Sequence, residues 1–144
     1  MSQKPKRPKS FETVAPKRAF DSKANHLSEI IRFRFDQIDS GSPWDLEKIG
    51  QGDLSELLTF LRSISHSTIG ELFHGNGPGK HYTDLHSGMS APALRRLVEL
   101  YSGQDYVHRL RLSGKKRLFG ILVGSEFSIL WWDPEHDVWP SKRR

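Results

Sequence analysis

Five lysines and arginines crowd the stretch His108-Arg109-Leu110-Arg111-Leu112-Ser113-Gly114-Lys115-Lys116-Arg117, with no acid among them. On an extended strand Arg109 and Arg111 share one face, and Leu110 and Leu112 share the other. Across a turn at Ser113-Gly114, either Lys116 or Arg117 joins the arginine face, depending on register. Like charges gathered on one sheet face repel each other unless something anionic meets them. The chemistry this suggests is phosphate binding by Arg109, Arg111, Lys115, Lys116 and Arg117. The structural alternative is a solvated face neutralised by acids such as Glu126, Glu99 or Asp105.

A second concentration is Trp131-Trp132-Asp133-Pro134-Glu135-His136-Asp137-Val138-Trp139-Pro140. Histidine titrates near neutrality, so His136 is the candidate for acid–base work. The surrounding Asp133, Glu135 and Asp137 match no strong metal motif. A further set, His74, His81 and His86, steps by seven and five residues, which fits no zinc signature. No metal site is expected. Alternation along a strand places one of Trp131 and Trp132 toward the core and the other outward. Trp139 either covers the helices or offers a ring beside the arginines on which a base could stack.

Other chemistries are absent from the sequence. The 144 residues contain no cysteine, which excludes disulfides, thiolate zinc sites and a cysteine nucleophile. There is no phosphate-binding Walker loop, no dinucleotide-binding glycine pattern, no G-x-S-x-G elbow and no H-E-x-x-H helix. No cofactor is expected, ATP and NAD included.

The net charge of +5 is unevenly placed. Residues 1–24 carry seven basic and two acidic groups, and positions 142–144 add three more cations, leaving 25–141 at −3. Lys4, Lys6, Arg7 and Lys9 alternate with prolines, which cannot enter a helix interior. The stretch 1–24 therefore reads as a disordered basic arm, either a solubilising tail or a contact for nucleic acid through counterion release. No run approaches the roughly 18 apolar residues of a membrane span, and the basic start has no apolar core of a secretory signal. A cytoplasmic protein without membrane contact is the expectation.

The elements that must position these residues are legible by period. Ile31, Phe33 and Phe35 alternate with Arg32 and Arg34, so 28–35 reads as a strand. Asp53 with Glu56 has capping-box spacing ahead of Leu54, Leu57, Leu58, Leu61 and Ile64, a helical repeat. Thr68 with Glu71 repeats the signal for a short helix through Phe73. Residues 75–90 read as a loop. Another helix starts near Ser90, with Pro92 in its first turn, a stripe of Leu94, Leu97, Val98 and Tyr101, and Gly103 beyond it. Three strands follow, 107–112, 116–123 and 127–132. The fold expected is α+β, one domain over 25–140 followed by a basic tail at 141–144. Its antiparallel sheet has the order β-α-α-α-β-β-β, with helices on one face.

The element order with a final three-stranded meander resembles the RelE/ParE superfamily of small bacterial toxins. The resemblance lies in His108-Arg109-Leu110-Arg111, then Lys116-Arg117-Leu118-Phe119, the strand Phe127–Trp132, and His136 followed by Val138-Trp139. The ending W-x-D-P-x-H-x-V-W-P is also similar to that of a group of uncharacterised bacterial proteins. RelE-like members cut mRNA, usually on the ribosome. ParE-like members inhibit DNA gyrase and cleave nothing. The resemblance implies that Arg109, Arg111 and Arg117 hold a phosphate and that His136 is the acid or base. Trp139 would take a tyrosine position, able to stack but lacking a hydroxyl. It further implies RNA or the ribosome as target and an antitoxin as partner. The leading expectation is a toxin-like RNA-binding protein with metal-independent endoribonuclease activity as the candidate reaction. The alternative is a non-catalytic module that docks on nucleic acid or protein.

Overall fold

A computed structural model describes residues 26–141. Lys4, Lys6, Arg7 and Lys9 of the arm, and positions 142–144 of the tail, lie outside the described residues. Strand β1 is Arg32–Arg34, and a 3-10 turn occupies Leu46–Lys48. Helices α1 (Gln51–Ile64) and α2 (Ile69–Phe73) follow, then β2 (Gly79–Tyr82). Next come α3 (Leu85–Gly88) and α4 (Ala91–Leu100). The meander β3 (Val107–Arg111), β4 (Arg117–Val123) and β5 (Glu126–Asp133) follows.

The sheet is mixed, in the order β1-β5-β4-β3-β2, with β1 parallel to β5 and every other pair antiparallel. Two expectations are thereby corrected. The sheet is not purely antiparallel, because the early strand returns to flank the last one. The segment 75–90 is not only a loop, because Gly79-Lys80-His81-Tyr82 pairs with β3 as the far edge strand. Four residues opening on a glycine carry too little alternation to announce a strand.

Helices cover both faces of the sheet, not one. Leu118, Leu122, Phe127, Ile129 and Trp132 pack with Leu57 and Ile64 of α1 and Ile69 and Leu72 of α2. Phe119, Ile121, Leu130 and Trp131 pack with Leu85 of α3 and with Ala93 and Leu97 of α4. The physical reason is in β4 and β5, whose apolar runs are almost continuous. Strands that present apolar residues in both directions must be covered in both directions. Trp131 and Trp132 do point to opposite sides, but both are buried, so neither faces outward.

A bulge sets that division. Gly120 pairs with Ile129 and Phe119 with Trp131, so Leu130 is the extra residue of β5. Leu130 and Trp131 consequently fall in the same core. At the bulge the segment before α1 takes over from β1: Asp39 N–H donates to the Leu130 carbonyl (3.2 Å), and Trp132 N–H donates to that of Trp44 (2.9 Å). Buried Asp39 receives Arg96 Nε and Nη2 at 2.8 and 2.7 Å and Trp131 Nε1 at 2.9 Å. This fork ties α4 to the sheet and matches the buried Asp39 charge.

Local signals were kept or overridden element by element. Thr68 and Glu71 form a full capping box on α2. Ser90 precedes α4, but Val98 is exposed and Ala93 replaces it in the buried stripe. Helix α1 starts after Gly50, and its Asp53 and Glu56 serve Lys116 rather than a cap. Leu57 and Ile64 are its buried positions, while Leu54 and Leu58 are exposed. The first strand shrinks to three residues, with Ile31 buried and Phe35 exposed. Among the described residues, no helix is long and apolar enough to cross a membrane.

Candidate nucleic-acid interface

Register decides which cations meet. Arg111 lies directly opposite Arg117, so Arg117 joins Arg109 and Arg111 on the face shared with α3 and α4. Lys116 goes to the other face. There its ammonium contacts Asp53 at 3.2 Å and Glu56 at 2.7 Å, and Glu56 also accepts from Ser113 Oγ at 2.6 Å. The Lys116 ammonium and then Ser113 hold the Glu56 carboxyl down at about 2. Lys116 is thus a neutralised structural cation rather than part of the arginine cluster. Lys115 sits exposed in the turn, 3.1 Å from Glu135.

None of Arg109, Arg111 and Arg117 forms an ion pair among the described residues. Arg109 Nη1 donates to the Pro78 carbonyl at 2.7 Å. Arg117 Nη1 donates to the carbonyls of Gly114 and Lys116 at 2.8 and 2.9 Å, while its buried Nε has no partner in the structure. Arg111 is exposed. Burial, then Arg109 and then Arg111 pull Arg117 below the usual arginine range. The acids named above as neutralisers lie elsewhere: Glu126 meets Arg34, Glu99 acts on Arg96, and Asp105 acts on His81.

The turn after β5 brings His136 to this cluster. Asp133, buried and paired in register with Arg117, accepts the backbone N–H groups of Asp137 (2.9 Å) and Val138 (2.8 Å). Burial raises its carboxyl above the usual range, against the pull of those two hydrogen bonds. The tightened turn holds His136 in the left-handed region, at φ 64°, a conformation that disfavours most residues. His136 and Arg117 line one groove of about 400 Å³ with Gly114, Lys115, Glu135 and Ser141. Arg109 and Arg111 do not line it. They lie on the same sheet face, connected to the groove through Arg117.

Trp139 closes the cluster on its other side. Its ring stacks on Tyr82, centroids 4.0 Å apart and planes 11° from parallel. Gly88 abuts its indole, and any Cβ there would strike it. The ring that a base would need is therefore stacked within the protein. Two neighbours escaped sequence reading because they belong to β2. Lys80 is in register with Arg109, and Tyr82 with Val107, so both lie on the arginine face. The Lys80 ammonium stands 5.5 Å from the centre of the Tyr82 ring. The only sequence signal for them was the Lys-x-Tyr period of two.

The other histidines are elsewhere. His108 is fully buried on the opposite face, where its Nδ1 accepts from Leu122 N–H (3.2 Å) and its ring meets Phe73 edge-on. His81 stacks on it at 4.5 Å. Burial lowers the proton affinity of both. His74 and His86 are exposed. Among the described residues, no group of three or more His, Asp or Glu side chains is placed to hold a metal ion. Comparison with protein-family models, curated proteins and solved structures gave no match.

Proposed function

We propose that the protein is a toxin-like RNA-binding protein whose arginine face binds the phosphate backbone and whose groove carries metal-independent phosphodiester cleavage. The observation behind this reading is the contrast between charge and partner. Arg109, Arg111 and Arg117 stand together without an ion pair among the described residues. The one carboxylate in register with Arg117, Asp133, is held by backbone N–H groups, and His136 lines the groove that Arg117 enters. In the reaction, the 2′-hydroxyl oxygen attacks the adjacent phosphorus and the bond to the 5′-oxygen breaks. One proton leaves the 2′-hydroxyl and one reaches the 5′-oxygen, giving a cyclic phosphate and a free 5′-hydroxyl. Arginines aimed at the phosphoryl oxygens stabilise the charge that builds there. His136 acts as the acid or the base.

The RelE/ParE-like kinship belongs to the same proposal, resting on the meander and its basic hairpin. So do a cytoplasmic site of action, RNA or the ribosome as target, and an antitoxin-type partner that masks the arginines with acidic groups. Fold alone does not fix function, so the test is functional. Wild type, His136→Ala and the double variant Arg109→Ala/Arg111→Ala are expressed by induction in bacteria, with growth followed and mRNA 5′ ends mapped. Growth arrest with new mRNA ends, lost in both variants, is the expected outcome. Arrest without cleavage would replace the nuclease with a binding mode such as gyrase inhibition. No arrest at matched soluble expression would overturn the toxin reading.

A further inference from the structure

The sheet register places two pairs of cations on one face. Lys80 of β2 is opposite Arg109 of β3, and Arg111 of β3 is opposite Arg117 of β4. Partners in each pair sit on adjacent strands, roughly 4.8 Å apart, and the pairs are separated by two residues of strand, about 6.8 Å. The order Lys80, Arg109, Arg111, Arg117 thus runs diagonally across three strands. All four lack an ion-pair partner among the described residues, and 25–141 is otherwise acidic.

We infer that Lys80 completes a second phosphate subsite, so that this face takes two successive phosphates of a single-stranded nucleic acid rather than one isolated phosphate. The separation of the pairs is on the scale of one nucleotide of extended strand. A single small anion would need only the Arg111–Arg117 pair. The aromatic wall beside Lys80 sharpens the ligand class. Tyr82 and Trp139 stack on each other, and Gly88 presses against the Trp139 indole, so neither ring is laid out as a platform for a base. The wall instead holds the Lys80 side of the face in place, with its ammonium near the Tyr82 ring. What is read is the backbone, independent of base identity.

This inference rests on the phosphate-binding reading above and can fail separately from it. The full chain is titrated by fluorescence anisotropy against labelled uridine and adenosine homopolymers between about 50 and 200 mM salt. Uridine monophosphate serves as a competitor that presents one phosphate. Lys80→Gln is expected to weaken both homopolymers equally, by about threefold. It should also make the slope of log affinity against log salt shallower by about 0.7. Uridine monophosphate should compete equally well against both proteins, because the Arg111–Arg117 pair is intact. An unchanged slope in Lys80→Gln, with Arg111→Gln and Arg117→Gln impaired, would overturn the second subsite and leave the first standing. Equal weakening of the monophosphate would overturn it too. If no substitution on this face alters binding, both readings fall. Lys80 is exposed, so its replacement leaves the fold intact.

Discussion

Lys116 and Arg117 are neighbours in sequence and live in opposite electrostatic worlds. Lys116 crosses to the α1 face and meets two carboxylates, Asp53 and Glu56, that the helix presents one turn apart. Arg117 turns to the α3/α4 face, where it meets two more arginines and backbone carbonyls and forms no ion pair even with Asp133, its partner in register. A run of basic residues is therefore not one patch. The two-residue period of the strand divides it into a half that stabilises the fold and a half that works against it. Charge left without an ion pair at one spot while it is matched nearby is the arrangement on which the phosphate-binding proposal rests.

The contrast can be broken most severely where charge is matched deepest. Arg96→Met leaves the Asp39 carboxylate buried without its fork and should cost about 3 kcal/mol in urea unfolding. On the α1 face the effect is smaller and depends on pH. The Glu56 carboxyl titrates at about 2 in the folded protein against 4.5 as its ordinary value. A depressed carboxyl stabilises above its unfolded value and loses that contribution as pH falls through the folded one. The melting temperature should thus decline between about pH 4.5 and 2, and Glu56→Gln should be lower at neutral pH and flatter across that window.

The smallest change has the opposite sign. Arg111→Glu faces Arg117 directly and should raise stability by about 0.5 kcal/mol through a cross-strand pair. The same substitution should abolish binding of an oligonucleotide. A loss of stability there would show that the arginine face is already neutralised and remove the contrast.

How far the sequence foretold this arrangement varies with the range of the interaction. The Thr68–Glu71 capping box, the start of α4 at Ser90 and the three strands of the meander follow from neighbours within a few residues. Sequence alone does not choose between Lys116 and Arg117, because a shift of one residue reverses the face of every side chain. The turn settled it: Leu112 N–H bonds the Lys116 carbonyl at 2.9 Å around Gly114, whose φ of 57° suits glycine. Lys80 and Tyr82 could not be placed, since their roles depend on a strand that exists only by pairing with β3. The parallel contact of β1 with β5 sets Arg32 opposite Glu126 and Arg34 opposite Ser128, across most of the chain, and no local pattern encodes it. The continuous apolar runs of β4 and β5 did contain the second helical layer, which the hairpin reading obscured.

That parallel contact also imposes an order in time. β1 and the Asp39 segment both find their backbone partners on β5, the last in chain order of the described strands. The helices can form beforehand from short-range contacts. The early edge of the sheet cannot, and must wait through most of the chain before its loop can close. During synthesis Phe33 is therefore without its partner Phe127 until β5 arrives, so the early edge of the sheet is among the last parts to close.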